Sequence, residues 1–418
     1  AESGRLDASI IRPWSEVKKG YTKFEEGDIV FAKITPSMEN GKAALASGLE
    51  GGRGVGSTEY HVFRPGPDLN ARYLLHFLLQ ISTRRAARAQ MRGVAGQLRV
   101  PATFFSELEI PLPPLHEQKL IVAEIETQFA RLDAAVAALQ SARIRLKRYR
   151  ASVLKAACEG RLVPTEAELA RREGREYEHA SVLLERIQAE RDAAPTKKRR
   201  KANDAVALDT SELPAGWAWT QIGLIASLVT SGSRGWSGFY SDMGADFVRA
   251  QDINRDNLDI STTAKVALPE KAERNRTRLH YLDILITITG ANVTKSALVT
   301  SNPSEAYVSQ HVGLVRLSVP EFAQFVYLWI VSPFQGRRLL EKEAYGAGKP
   351  GLGLEDLRSL QVPIPPLAEQ ERIVAEIERR MSVIKQMEAL VETNLKRAET
   401  LRQSILRMAF NGRLSGQE

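Results

Sequence analysis

At 418 residues, with 43% hydrophobic and 26% charged side chains, the chain is long enough for about two to four globular domains of ordinary composition. No apolar run approaches the roughly 18 residues of a membrane span, Ala1-Glu-Ser-Gly-Arg5 does not read as a signal peptide, and the one cysteine, Cys158, excludes an internal disulfide, so a cytoplasmic protein with no membrane association is expected. A formal charge of +8 and an isoelectric point near 9.5 favour a polyanionic partner.

In chain order, Gly27-Asp-Ile-Val-Phe-Ala-Lys33 and Tyr60-His-Val-Phe-Arg64 read as short strands, and Tyr73-Leu-Leu-His begins an apolar helix. The diproline Pro113-Pro114 then fixes extended backbone before Glu117-Gln118 open a long helix. Its apolar residues recur in steps of four and three at Ile125, Phe129, Leu132, Val136, Leu139, Leu146 and Val153, a coiled-coil seam. Gly160 is placed to close it in the left-handed conformation, with Leu162 folding back over the last turn. A charged stretch, 166–210, follows; Ser181-Val-Leu-Leu-Glu-Arg-Ile-Gln-Ala-Glu-Arg191 reads as its one short helix, and residues 192–207 as flexible. The run Lys197-Lys-Arg-Arg-Lys201 within it reads as a solvated charge run. A new domain opens at Leu213-Pro-Ala-Gly-Trp-Ala-Trp219. Strands are expected at Ala245-Asp-Phe-Val-Arg-Ala-Gln251, Leu282-Asp-Ile-Leu-Ile-Thr-Ile288 and His311-Val-Gly-Leu-Val-Arg-Leu317, and helices at 322–331 and 335–345, so this is an α+β unit of about 150 residues.

The chain then repeats itself. Ile110-Pro-Leu-Pro-Pro-Leu-His-Glu-Gln returns as Val362-Pro-Ile-Pro-Pro-Leu-Ala-Glu-Gln370, a shift of 252 positions, and the ungapped register runs on to Ser152-Val-Leu-Lys-Ala-Ala-Cys-Glu-Gly-Arg-Leu162 against Ser404-Ile-Leu-Arg-Met-Ala-Phe-Asn-Gly-Arg-Leu414. The second seam is Ile377, Met381, Ile384, Val391, Leu395 and Ile405, closed by Gly412. A period this long exceeds the roughly 20 to 50 residues of solenoid repeats, so each copy is a domain plus a connector. About 40 residues make a rod of roughly 60 Å, and the economical partner for each stripe is the other copy, antiparallel, in a pseudo-twofold arrangement with a globular unit at each end. The expected layout is a first head at 1–109, a helical spacer at 110–162, a charged linker at 163–212, a second head at 213–361 and a second spacer at 362–418. The first head follows the plan of the second, with Gly27–Lys33 matching 282–288, Tyr60–Arg64 matching 310–314 and Tyr73 matching Tyr327. The counterpart of Leu213 falls before residue 1, at 213 − 252 = −39, so the first head is expected to lack roughly forty N-terminal residues.

Catalytic motifs fail on inspection. Gly346-Ala-Gly-Lys-Pro-Gly351 fits G-x-G-x-x-G but follows a helix and contains Pro350. Asn302-Pro-Ser-Glu305 lacks the aromatic residue that would stack on a flipped base. Pro67-Asp68 is followed by no further acid before Glu107, and neither a Walker lysine loop nor a Gly-x-Ser-x-Gly elbow occurs. Six scattered histidines and Cys158, which aligns with Phe410 and reads as core, give no metal-ligand spacing. A chain without catalysis, cofactor or metal of its own is expected.

The duplicated Pro-Pro-Leu-x-Glu-Gln with Ile-Val-Ala-Glu-Ile-Glu, the closing Gly-Arg-Leu, the domain-opening Leu-Pro-Ala-Gly-Trp and the linker Leu183-Leu-Glu-Arg-Ile-Gln-Ala-Glu-Arg191 together resemble the specificity subunits of Type I restriction-modification systems, over essentially the whole chain. The resemblance implies two target-recognition domains reading the halves of a split sequence in double-stranded DNA, spaced by an antiparallel helix pair. It implies two methyltransferase subunits using S-adenosylmethionine and motor-nuclease subunits using ATP and Mg, so that the cofactors belong to the partners. Unlike heads on matched rods then give an asymmetric bipartite target, with half-sites about one DNA turn, roughly 34 to 36 Å, apart. A fused enzyme and a non-catalytic protein-binding scaffold with two different heads are the competing readings.

For DNA contact the candidates lie in polar loops after strands. Ser233 and Arg234 sit in the small-residue stretch Thr230-Ser-Gly-Ser-Arg-Gly-Trp236, where Arg234 suits a phosphate or guanine and Trp236 packs. Arg249, Gln251 and Asn254 follow a strand, and an amide bonds an adenine edge with two hydrogen bonds. Asn292 and Lys295 come from Thr289-Gly-Ala-Asn-Val-Thr-Lys295, and Lys349 from 345–351. In the first head Lys33, Thr35 and Lys42 mirror the Asn292 loop, and Gln97 and Arg99 mirror the Lys349 loop.

Overall fold

The computed structural model describes residues 6–412 apart from 18, 95, 194–211, 255, 271–273 and 346–349. The run 197–201 and most of the expected flexible stretch 192–207 lie outside the described residues. The chain divides into two compact units: Ala1–Arg143 with Ala389–Glu418, and Ile144–Glu388. Both mix helix and sheet, and each holds one head together with part of both long helices.

In the first unit a short helix α1 (Trp14–Val17) precedes strands β1 (Thr22–Glu25), β2 (Ile29–Ala32), β3 (Ala43–Leu45), β4 (Arg53–Gly56) and β5 (Tyr60–Phe63). The run Ile-Val-Phe-Ala of β2 is buried throughout because β2 is the centre of the sheet β3-β2-β5, with Val30 opposite both Ala44 and Val62. Helix α2 (Ala71–Leu78) starts where the Asn70 side chain accepts from the Arg72 and Tyr73 amides, and lays Leu74, Leu75 and Leu78 over Ile29, Phe31 and Met38. Helices α3 (Ile81–Ala89) and α4 (Ala102–Ser106) complete the head before the first long helix, α5 (Leu115–Cys158).

The second unit opens with α6 (Glu166–Glu173) and α7 (Ala180–Ala193). Helix α7 is the one expected; α6 is additional, and its sequence signals are the Thr165/Glu168 capping box and Gly174, left-handed at φ 65°. The head continues through β6 (Ala218–Gln221), α8 (Ile222–Ile225), β7 (Ala226–Ser231), β8 (Tyr240–Ser241), β9 (Ala245–Val248), the hairpin β10 (Ile253–Asn254) and β11 (Asn257–Leu258), then β12 (Ala264–Val266), β13 (Ile284–Thr287), β14 (Ser296–Leu298), β15 (Ala306–Val308) and β16 (Val312–Leu317). Helices α9 (Phe322–Val331), α10 (Gly336–Tyr345) and α11 (Leu354–Ser359) lead to β17 (Gln361–Ile364) and the second long helix, α12 (Leu367–Phe410). One sheet runs β14-β13-β16-β7, all antiparallel; the other runs β15-β9-β12-β8 with β9 and β15 parallel. Cys158 is buried in the main core, where burial pushes its thiol up to about 12, consistent with packing.

The heads share a latch. Asp283 accepts both Arg316 Nε and Nη2 at 2.7 Å and the His280 amide at 2.7 Å, after Leu282 at φ 66°; Asp28 accepts Arg64 Nε and Nη2 at 2.8 Å and the Glu25 amide at 2.7 Å, after Gly27 at φ 88°. Arg64 therefore corresponds to Arg316, and Tyr60–Phe63 to Val312–Val315. The expected match to 310–314 is two residues out of register, because it aligned His61 with His311; His61 lies within β5, whereas His311 precedes β16. Packing likewise pairs Tyr73 with Phe325 rather than Tyr327: Tyr73 meets Phe410 and Phe325 packs in the cluster of Leu154 and Ala157, positions related by the 252 shift to Leu406 and Ala409.

Within each unit the two long helices run antiparallel. In the first, Ile125 packs with Leu406 and Ala409, and Leu132 with Ala398 and Ile405; in the second, Val153, Leu154 and Ala157 pack with Ile373, Val374 and Ile377. Gly160 is left-handed at φ 64°, and the Arg161 and Gly160 amides return to the carbonyls of Ala156 and Ala157, the expected helix stop.

His76 has Leu328 as its counterpart on this shift and is buried in the first unit edge-on to Phe129, with no hydrogen-bond partner on either nitrogen. Burial drives its pKa down from 6.5 to about 4. The unfolded chain binds the proton near 6.5 and the folded chain near 4, so stability falls as pH falls through this interval, by about 3 kcal/mol at most. His76→Leu is expected to remove that part of the pH dependence, read as the difference between variant and parent denaturation midpoints from pH 7 to pH 4; parallel curves would refute it.

Candidate nucleic-acid interface

The strand ends of the second unit set its site. Parallel β9 and β15 end together, Val248 opposite Val308, and antiparallel pairing places the ends of β7 and β13 at the start of β16, with Ser231 opposite Gly313 and Thr287 opposite Val312. The loops carrying Ser233 and Arg234, then Arg249, Gln251 and Asn254, then Asn292 and Lys295 therefore leave the head at one end.

Cross-links hold these loops against one another. Ser233 bridges Ser309, and a Cβ on Gly232 would lie 1.9 Å from the Val308 carbonyl oxygen, so only glycine admits this approach. Arg276 donates to the Thr230 hydroxyl at 2.6 Å, the Ser231 carbonyl at 2.7 Å and the Ser233 hydroxyl at 3.3 Å. Trp236 anchors the far side of the loop in a small core with Phe247 and Tyr307. Asn292 donates to the carbonyls of Ala250 and Ile253 at 3.1 and 3.3 Å, which joins its loop to the Gln251 and Asn254 turn. That turn is also tied down from below, where buried Arg337 pairs with Asp256 and donates to the Thr294 carbonyl.

The sequence candidates thus separate by what they are bound to. Arg234, Gln251 and Asn254 are exposed, Ser233 and Lys295 half-buried, and Arg234 makes no hydrogen bond or ion pair among the described residues. Arg249 is held in a two-bond fork by Asp252, Nε and Nη2 each at 3.0 Å. Asn292 spends its amide donors on backbone. Lys349 lies outside the described residues, although its loop returns at Gly351, which bridges Thr289. Sequence reasoning missed exposed Gln310 and His311 beside Thr289, which bonds the His311 ring, and the outward row Arg276 and Arg278. The alternation of Arg276 and Arg278 with buried Thr277 and Leu279 was the available signal.

In the first unit Lys33, Thr35, Gln97 and Arg99 come together: the Val100 amide donates to the Lys33 carbonyl, the Thr35 amide to that of Leu98, and Ile34 bridges Arg99. Arg99 is forked onto Glu59 at 2.9 and 2.8 Å, which holds the Glu59 carboxyl below its usual range, and the Thr35 hydroxyl donates to Glu39 at 2.6 Å. Lys42 lies at the other end of the same turn, its carbonyl accepting the Ala32 amide and its amide donating to Ser37. Exposed Arg92 pairs in backbone with Arg99 and is a further cation of this surface.

Fold, repeat and loop ends define a DNA-specificity protein, and comparison with known proteins agrees. Residues 3–137 and 231–392 match the family described as "Type I restriction modification DNA specificity domain", and the chain belongs to that family. It is 28% identical to the Type I restriction enzyme EcoEI specificity subunit of Escherichia coli, over 92% of this chain and 72% of that one, and 26% identical to the EcoAI specificity subunit of the same organism, with the same coverage. A solved chain from work on complex assembly and conformational transition of the type I R-M system shares the fold at a TM-score of 0.63 and 20% identity, over 94% of this chain and 84% of that one.

Gly232→Ala forces the Ser233–Arg234 loop off the Val308–Ser309 backbone. It is expected to cost about 1 to 3 kcal/mol of stability and to weaken DNA binding, measured by denaturation and by titration of the folded protein; a variant matching the parent in both would contradict the close approach.

Proposed function

We propose that this chain is the DNA-reading and scaffolding subunit of a Type I restriction-modification complex, and that each head reads one half of an asymmetric split target. The observation that carries this is the gathering of the polar loops of the second head at one end, with Arg234 exposed and unpaired among the described residues. Such an end offers backbone, hydroxyl, amide and guanidinium groups to a groove. The first head presents different residues, Lys33, Lys42, Gln97 and Arg92, on loops that match the Asn292 and Lys349 loops, which supports two target halves of different sequence.

Methyltransferase and motor-nuclease subunits are assigned as partners, with S-adenosylmethionine, ATP and Mg held by them and the chemistry done there. Support for a recognition role in this chain comes from the DNA specificity family matched over residues 3–137 and 231–392. No described helix is long and apolar enough to cross a membrane.

Methylation mapping at single-base resolution, in a host expressing this chain with its cognate methyltransferase and in one lacking only this chain, is expected to show one asymmetric split motif that disappears with the chain. An unchanged methylome with the complex assembled would favour a protein-binding scaffold. Arg234→Ala is expected to weaken cognate binding by about 1 to 3 kcal/mol where it reads a base edge, and to reduce the salt slope by about one where it meets a phosphate. An isotherm unchanged at every salt concentration would remove Arg234 from the interface.

A further inference from the structure

Strands β15 and β16 are joined by a tight turn with Gln310 and His311 at its corners, closed where the Val312 amide donates to the Ser309 carbonyl at 3.0 Å. Neighbouring backbone clamps this turn from two sides. The Ser309 amide donates to Val248 at 2.9 Å and the Ser309 carbonyl accepts the Gly232 amide at 3.2 Å, while the His311 carbonyl accepts the Ile288 amide at 3.0 Å. Both corner side chains are exposed, between the Ser233 loop, which bridges Ser309, and the Thr289 loop, which bonds His311.

The first head has the same corner. Its Lys33 amide donates to the Glu59 carbonyl at 2.9 Å as the Ile288 amide does to His311, and Thr58 and Glu59 form the turn that enters β5 as Gln310 and His311 form the one that enters β16. In both heads a neighbouring loop fastens the second corner side chain, Arg99 holding Glu59 and Thr289 holding His311. The first corner side chain, Thr58 or Gln310, is exposed beside it. Backbone and fastening are kept while the displayed residue changes, the pattern of a position that meets a different base in each half of a target.

In the second head the fastening decides what is displayed. An amide nitrogen only donates, so the His311 Nε2, 3.0 Å from Gln310 Nε2, is the acceptor. The neutral ring then carries its proton on Nδ1, which donates to the Thr289 hydroxyl at 2.5 Å. Turning the Gln310 amide over would set its oxygen against the imidazole lone pair, so the amide is held one way round. One N–H goes to His311; the carbonyl oxygen and the second N–H remain, an acceptor and a donor in one plane. The major-groove edge of adenine offers the complement, a donor at N6 and an acceptor at N7, whereas guanine offers two acceptors, cytosine a donor, and thymine an acceptor beside a methyl group.

Given the DNA-reading function of this head, on which the assignment rests, we infer that Gln310 is a specificity-determining residue that reads one adenine in the major groove, and that His311 is the positioning residue that fixes its amide. The Gln310 oxygen accepts from the adenine N6 amino group, and its free N–H donates to N7.

The probe is a duplex carrying the motif found by methylation mapping, with 7-deazaadenine, which lacks the N7 acceptor, placed at one adenine at a time and titrated with the full chain assembled with its methyltransferase. For the parent, replacement at one adenine is expected to weaken binding about tenfold through loss of the Gln310 bond. Gln310→Ala is expected to weaken binding to the unmodified duplex by at least that factor and to abolish the response at that adenine, leaving the response at every other adenine unchanged. Gln310→Glu, which keeps the shape but lacks the N–H, is expected to behave alike. His311→Ala is expected to lower the preference for A·T over G·C at that same base pair and at no other, which a general loosening of the fold would not do. An analogue profile that Gln310→Ala and Gln310→Glu leave unchanged, or one in which no adenine responds, would overturn the assignment and leave the DNA-reading function standing. A parent complex that binds all duplexes alike would overturn that function, and the assignment with it.

Discussion

The two long helices carry an apolar stripe in steps of three and four, and in each unit that stripe is buried because the other helix lies against it with opposite polarity. Ile125 needs Leu406 and Ala409, and Ile377 needs Leu154 and Ala157, the same contacts under a shift of 252 positions. Each helix therefore contributes its first part to one unit and its last part to the other, so a substitution on one helix face acts on a partner far away in sequence. Equivalent positions of the two stripes thus face equivalent partners in the two units, in keeping with the close repeat of the helices. The heads are free of that pairing, and there the sequences diverge.

What the heads retain is the anchoring. Gln118 and Gln370 fasten the helix starts to the preceding diprolines, and the Asp–Arg latch ties the strand feeding the sheet centre to the end of its neighbour. Leu282 adopts φ 66°, a conformation that costs a non-glycine residue roughly 1 to 3 kcal/mol. Its amide donates to Val299 at 2.9 Å, and Asp283 beside it engages Arg316 through two charge-assisted bonds that offset the strain. In the first head Gly27 takes the same turn without that cost, so the geometry is kept while the residue changes. Rigid anchors of this kind let the loop ends vary in composition without moving relative to the sheet that bears them.

The sequence was most legible where local pattern and burial coincide. The long helices, their glycine stops and the second-head strands follow from periodicity and end signals that need no tertiary partner. Helix α6 was missed although Thr165, Glu168 and Gly174 announce both its ends, because its apolar content is low. The register of β5 was misread because two histidines were aligned by identity, and only pairing with Asp28 reveals Arg64 as the equivalent of Arg316. Loop position was readable, since polar stretches after strands must leave the sheet together; the state of each side chain was not. Asp252 lies three residues from Arg249 and was visible, but nothing in one dimension says that it takes both ends of the guanidinium.

That last distinction decides how such a surface reads DNA. A guanidinium forked onto a carboxylate contributes little net charge and releases few counterions, so Arg249 with Asp252 and Arg99 with Glu59 act chiefly as struts that hold loop backbone in place. On the proposed reading, neutral amides such as Gln251 and Asn254 would add specificity at little electrostatic affinity, because an amide bonds a base edge only in the correct register. On the same reading, cations such as Arg234 and Arg92, whose side chains are unpaired among the described residues, would supply the salt-dependent attraction for the duplex. A head built this way separates the two tasks, with a few free charges to hold the backbone and a larger set of fixed polar groups to discriminate. Its sequence preference can then be changed in the loops without loosening the latch or the seam beneath.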